Sequence, residues 1–537
     1  MVLFDPHRYA YPSRRSVVYA RRAMACTSVP LGAQVGLDVM KAGGNAVDAA
    51  VAMAAAMPLL EPTGNGIGGD CFALVWVERE KKLYGLNASG VSPAALSAAL
   101  VRERGFGEMP KEGWLPTMVP GAPGGWAELN RRFGTRPLEE LFAPAASYAR
   151  EGVAVPVNVA VQWALDGPRI GRAMERDPAP HRPWWERMMK ADGTPYRAGE
   201  IFRWPEYADT LEELAATSCE SFYRGSLMER MVSFSRETGG FFQERDLQDY
   251  RPEWVEPITA DYKGYTVCEI PPNGHGITVL MALNILKGLP LSQERDSADT
   301  YHKILEAIKL AFADTRTYVA DPRVADLLSE DYAARRRALI GERALLPQAG
   351  DPSCGGTIYL CTADPQGNMV SFIQSNYTTF GAGIRIPGTG ICLQNRGANF
   401  SLDEGSDNCL AGGKKSYHTI IPGFLMKEGT AVGPFGVMGA FMQPQGHVQV
   451  VVNTVDYHMN PQECLDAPRM QWTGGKRIQL EREVPAHIGL RLAEMGHQVE
   501  ICNSNLDMGR GQIIWRMEDG TLAGGTEPRC DGTVAAW

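Results

Sequence analysis

Long hydrophobic runs are missing from this chain of 537 residues. The longest uncharged apolar stretch near the front, Ala49 to Leu60, is about twelve residues, where a membrane-spanning helix needs roughly twenty. Basic charge is not in excess either. Lys and Arg number 53 against 62 Asp and Glu, for a net charge of −9. Nucleic acid and anionic membrane surfaces are met by basic patches, so neither partner is expected. The 11 cysteines contain no C-x-x-C pair, and the 9 histidines form no H-E-x-x-H motif and no Cys/His cluster. No metal site and no cofactor is therefore expected. The cysteines are odd in number and spread from Cys26 to Cys530, a pattern of reduced, buried thiols. The first residues scatter their charges and hold no apolar signal core, so the expectation is a cytoplasmic protein. Internal repeats and low-complexity segments are absent as well.

What is present is ordinary for a globular chain: 44% hydrophobic and 21% charged residues. The length suits two to four domains or one large α/β unit. Residues 30–60 read as two helices, the first stopping at Gly43-Gly44 and the second capped by Asn45 and apolar nearly all round. "GNGIGGDCFALVWVE" is a glycine-rich loop entering a strand at Cys71. It lacks the Lys-Ser/Thr and the following helix of a phosphate loop. "DSADTYHKILEAIKLAFADTRTYVADP" keeps helical spacing through Ile304, Ile308, Leu310 and Phe312. Residues 320–356 are charged and Arg-rich, as in an exposed connector. Strand-like runs follow Asn368 ("MVSFIQS", "GICLQN", "HTIIPGFLM", "AVGPFGVMGAF"), then a buried helix at "HVQVVVNTVDY" and a closing α/β segment.

The stretch "SCGGTIYLCTADPQGN" raises the functional question. Asp364-Pro365-Gln366-Gly367 has turn chemistry and joins two strands. Counting outward from the turn pairs Ala363 with Met369, Cys361 with Ser371, Tyr359 with Ile373 and Thr357 with Ser375. Two hydroxyls then meet at the open end, where Gly355-Gly356 enters. Thr and Ser also pair across strands for structural reasons alone. A hydroxyl nucleophile, however, needs a base. Cutting the Gly356–Thr357 bond would give Thr357 its own α-amine, with a reference pKa of about 7.7–8.0. No histidine is then required.

Six or more segments, in order and nearly end to end, resemble the γ-glutamyltransferase superfamily of N-terminal nucleophile (Ntn) hydrolases. They include "GLDVMKAGGNAVDAAVAM", "PTGNGIGGDCF", "VPGAPGGW", "IPPNGHGITVLMALNIL", "GTIYLCTADPQGNMVSF", "TGICLQN" and "NPQECLDAPR". The resemblance implies an α+β fold, the four-layer αββα Ntn-hydrolase sandwich. It implies self-cleavage between Gly356 and Thr357. Residues 1–356 would form a large subunit and 357–537 a small one, both within one domain; a homodimer of such heterodimers is compatible with it. By the same resemblance Thr357 is the nucleophile and Ser375 replaces a second threonine that hydrogen-bonds it. The "GVMGAF" turn offers the backbone N–H groups of Gly439 and Ala440 as an oxyanion hole. The family usually has glycine where Ala440 stands, so this donor survives only if alanine tolerates the local backbone.

The departures bear on substrate. Ser89 stands where glutathione-type members place an Arg against the glutamyl α-carboxylate, and serine cannot replace a bidentate guanidinium. Tyr377, Arg396 and Asn399 stand where they hold the α-ammonium, and His418 and Thr419 replace paired serines. Arg396 thus brings a cation where an ammonium would sit. The expected substrate is a small amide with an anionic acyl group lacking an α-ammonium, such as oxamate or a dicarboxylic monoamide. It would be bound by Arg396 with His418 and hydrolysed through an acyl-enzyme. The other readings are a γ-glutamyl hydrolase/transpeptidase, a glutaryl (cephalosporin) acylase, an unprocessed binding protein, and a cysteine hydrolase using Cys354 or Cys361. Acyl transfer to amino acids stays open beside hydrolysis.

Overall fold

The computed structural model describes residues 15–318, 324–347, 357–504 and 506–537. Two seven-stranded antiparallel sheets form the centre. One runs Thr533–Ala536, Met24–Thr27, Ile358–Ala363, Met369–Ser375, Asp70–Val77, Lys82–Ala88 and Glu253–Val255 in spatial order. The other runs Val18–Ala20, Leu522–Thr526, Arg510–Arg516, Thr430–Met438, Gly423–Lys427, Tyr265–Glu269 and Ile258–Tyr262.

Side-chain alternation along the strands sorts the core into layers. On the strand Ile358–Ala363, Ile358 and Leu360 join the cluster that holds the helices Pro30–Lys41 and Ala46–Leu60. Tyr359, Cys361 and Ala363 point the other way and pack with Phe424, Phe435 and Val437 of the second sheet. The helices Gly276–Leu286, Ala298–Tyr318 and Met442–Val455 cover the second sheet's outer face. The result is helix, sheet, sheet, helix. The two sheets touch where a Cβ on Gly436 would stand 2.4 Å from the Tyr359 ring, so only glycine fits there.

The helical readings hold. Asn45 accepts from the N–H groups of Val47 and Asp48 and forms a capping box with Asp48, worth about 1 kcal/mol. The helix it starts is buried along its whole length. Two expectations need correction. "GICLQN" is not a strand. It makes only isolated bridges, Arg385 with Cys392 and Gly68 with Leu393, so an apolar run here is buried loop. The stretch read as a plain connector carries the helix Glu330–Arg337. That helix has no apolar stripe to announce it; Arg337 anchors it by donating to the Asn284 and Ile285 carbonyls.

Candidate active site

The turn Asp364–Gly367 sets the hairpin register. Asp364 Oδ1 accepts from the N–H groups of Gln366 and Asn368, both at 2.9 Å, and Gly367 takes φ +86°. Ala363, Cys361 and Tyr359 lie opposite Met369, Ser371 and Ile373, as counted from the sequence. At the open end, Thr357 Oγ1 is 3.0 Å from Ser375 Oγ. Both residues are buried. Thr357 shares its strand face with Tyr359 and Cys361, so the hydroxyl pair lies between the two sheets. Ser375 Oγ also accepts from the Tyr377 N–H at 2.8 Å. Gly356 and Cys354 lie outside the described residues. Cys361 is fully buried, and burial pushes its thiol well above the usual range. It is not poised as a nucleophile.

Asp70 continues the row. It pairs across the strands with Ser375. Its Oδ1 accepts from Gly90 and Gly121 N–H at 3.2 Å each, and its Oδ2 is 3.0 Å from His418 Nε2. His418 Nδ1 accepts from the Ile420 N–H at 3.4 Å, which leaves Nε2 as the donor to Asp70. Burial, with Arg396 adding to it, holds His418 well below its usual pKa and therefore neutral. Burial lifts the Asp70 carboxyl to about 7, with Arg396 acting in the opposite direction. His418 is thus turned to Asp70, a partner that the sequence does not announce.

Arg396 is only 1% exposed. Its Nη1 donates to Thr419 Oγ1 at 2.6 Å, and the guanidinium lies 4.5 Å from the Tyr377 ring centroid. Tyr377 itself takes φ +76°, a left-handed conformation that costs a bulky residue about 1–3 kcal/mol. Among the described residues, the Nε and Nη2 of Arg396 have no hydrogen-bond partner. Burial lowers Arg396 to about 10, so it is still a cation at neutral pH. A buried cation with two idle donors is costly unless something anionic or polar meets them. Ser89 and Asn399 are used by the framework: Ser89 Oγ donates to Asn87 Oδ1 at 2.7 Å and Asn399 Nδ2 donates to the Tyr417 carbonyl at 3.1 Å.

Gly439 and Ala440 follow the strand Thr430–Met438 and precede the helix Met442–Val455. Their φ values are +137° and +49°. Alanine does occupy the left-handed position, at a cost of about 1–2 kcal/mol. Their carbonyls accept from Met442 and Gln443, and among the described residues neither N–H donates to a backbone carbonyl. The helix N-terminus behind them adds positive potential. A cleft of about 850 Å³ opens against this turn, lined among others by Met438, Gly439, Phe441, Thr378, Thr379 and Asp166.

Three charged residues of this neighbourhood were not singled out from the sequence: Asp70, Glu61 and Arg510. A weak signal existed for the first two. Each is an acid at the edge of the "PTGNGIGGDCF" loop, flanking buried apolar segments where an acid is rare.

The gamma-glutamyltranspeptidase family model matches residues 32–537. The chain is 33% identical to the glutathione hydrolase-like YwrD proenzyme of Bacillus subtilis, over 96% of this chain and 99% of that one. It is also 33% identical to the oxamate amidohydrolase proenzyme of Klebsiella pneumoniae, over 96% and 98%. The crystal structure of cephalosporin acylase from Bacillus halodurans superposes with a TM-score of 0.96 at 52% identity, covering 100% of this chain and 99% of that one. Glutathione hydrolase proenzymes of Bacillus subtilis and Escherichia coli are more distant, at 27% and 28%. The chain belongs to the gamma-glutamyltranspeptidase family and is an Ntn-type amidohydrolase of its acylase and amidohydrolase branch.

Proposed function

We propose that this chain cleaves itself before Thr357 and then hydrolyses a small amide with an anionic acyl group through a Thr357 acyl-enzyme. The 3.0 Å pair of Thr357 and Ser375 hydroxyls between the sheets carries the reading. Cleavage would give Thr357 an α-amine near its working pKa. The amine takes the Oγ proton as Oγ bonds to the acyl carbon. It returns that proton to the departing nitrogen as the C–N bond breaks. Water repeats the cycle in reverse to release the acid. Ser375 orients Oγ, and the Gly439 and Ala440 amides receive the oxyanion. The two pieces would stay together, because the strand Ile358–Ala363 is hydrogen-bonded between Met24–Thr27 and Met369–Ser375.

The acyl class rests on Arg396, whose idle Nε and Nη2 suit a carboxylate and repel an α-ammonium. The oxamate amidohydrolase among the relatives acts on an amide of that kind. The leaving nitrogen would face the 850 Å³ cleft beside Gly439. A panel of oxamate, glutaryl amides and γ-glutamyl anilide tests the class. Preference for the first two supports it, and preference for the γ-glutamyl anilide contradicts it.

Ala440 supplies a further expected outcome. Ala440→Gly keeps the turn and should retain kcat. Ala440→Val forces a β-branched residue into φ +49° and should displace its N–H, lowering kcat by about 10²–10³-fold. Steady-state kinetics of the two variants checks this; equal kcat in both would remove Ala440 from the oxyanion hole.

A further inference from the structure

A buried ion pair stands beside the nucleophile and has no part in the steps above. Glu61 follows the helix Ala46–Leu60, and Arg510 opens the strand Arg510–Arg516 of the other sheet. Arg510 Nη1 lies 3.2 Å from Glu61 Oε1, with side chains 3% and 1% exposed. Arg510 pairs across the strands with Met438, the residue before the Gly439–Ala440 turn. Glu61 meets the threonine from the first sheet's side. The Thr357 carbonyl oxygen and Glu61 Oε1 lie 3.2 and 3.3 Å from one point, the place where a side chain on Gly64 would begin. Gly64 thus keeps open a gap lined by the Glu61 carboxylate and the Thr357 carbonyl oxygen, which places Glu61 beside the backbone of the nucleophile.

The surroundings fix the pair's geometry. The Ser28 hydroxyl donates to Glu61 Oε2. Gln162, with its nitrogen donating to Thr63 Oγ1, accepts from Arg510 Nη1 at 3.0 Å. Among the described residues Arg510 Nε has no hydrogen-bond partner, and Arg510 lines the cleft that reaches Gly439. Asp531 and Cys530 are the other titratable groups that feel this pair; Asp70 with His418 stands beyond Ser375.

We propose that Glu61, with Arg510 as its counter-charge, is a positioning residue for the α-amine of Thr357, holding the ammonium that forms when that amine takes the Oγ proton. The inference rests on the reading of Thr357 as an N-terminal nucleophile. The carboxylate forms and breaks no covalent bond. The proton passes from Oγ to the amine as the Oγ–C bond forms, and from the amine to the leaving nitrogen as the C–N bond breaks. Glu61 stabilises the charged stage between. Burial lifts its carboxyl to about 7, with Arg510 and Ser28 opposing. Both neighbours favour the ionised carboxylate, the form that stabilises an ammonium.

The pH profile of kcat/KM tests this, because its acid limb reports loss of the neutral amine. Glu61→Gln removes the anion and leaves the cation, which disfavours the ammonium. The acid limb should move to lower pH by about one unit or more. Arg510→Gln should move it to higher pH by a similar amount. The double variant removes both charges and should return it toward wild type. A framework role alone would lower activity at every pH and leave the limb in place. Opposite shifts support the proposal. A wild-type limb in the variants that split overturns it, and so does failure of all three to split. Thr357→Ala separates the two levels. If that variant still splits and hydrolyses amides, the nucleophile reading fails. If it is inert while the Glu61 and Arg510 variants keep the wild-type limb, only the present inference fails.

Discussion

Thr357→Ala protein runs as one 58.6 kDa polypeptide on a denaturing gel, and its amidase activity falls by at least about 10⁴-fold. Both losses come from one atom. Oγ is the group that would attack the preceding carbonyl during maturation and the substrate carbonyl afterwards. The change itself is small. Thr357 is buried beside Ser375 in a row with Asp70, and removing the hydroxyl leaves Ser375 with the Tyr377 N–H as partner. The fold should therefore persist, and circular dichroism should match the wild type. Thr357→Ser keeps the hydroxyl and should split, more slowly, because the missing methyl frees χ1. Splitting of the alanine variant at the same bond would assign cleavage to another group.

The second large effect falls on Arg396. Arg396→Gln should lower kcat/KM by about 10²–10⁴-fold on oxamate or glutaryl amides and by less than about 10-fold on a neutral acyl amide. The physical reason is the pair of idle donors. Nε and Nη2 have no hydrogen-bond partner among the described residues, while Thr419 and the Tyr377 ring hold the guanidinium plane. A carboxylate that meets both donors recovers what burial cost them. Glutamine keeps one donor and loses the charge. If Arg396 serves instead to balance the Asp70 carboxyl, which feels it by charge, both substrate types lose activity equally. That outcome would withdraw the anionic acyl group and leave the threonine chemistry standing.

Much of this was legible in the sequence because it is local. The Asp364–Gly367 turn fixes the register by hydrogen bonds within four residues, so the meeting of Thr357 and Ser375 could be counted out. The Asn45 cap is local in the same way. What could not be read joins distant residues. Asp70 and His418 are 348 positions apart, and Glu61 and Arg510 are 449 apart. No periodicity links such pairs; only the packing of one sheet on the other brings them together. Arg396 was legible, through the family resemblance, as a cation standing where glutathione-type members hold an ammonium; its burial and its two idle donors were not. That His418 would be bound to Asp70 was not, since the partner is a strand residue across the sheets. "GICLQN" misled because burial without pairing leaves the same apolar run as a strand.

The most direct measurement is the intact mass of the smaller chain during turnover. Wild-type protein is mixed with a slowly hydrolysed glutaryl or oxalyl ester and quenched in acid. Two polypeptides should be found, the smaller beginning at Thr357 and carrying one acyl group, with fragmentation placing that group on the first residue. A single full-length chain that hydrolyses the substrate, or an acyl group on any residue other than Thr357, would contradict the account.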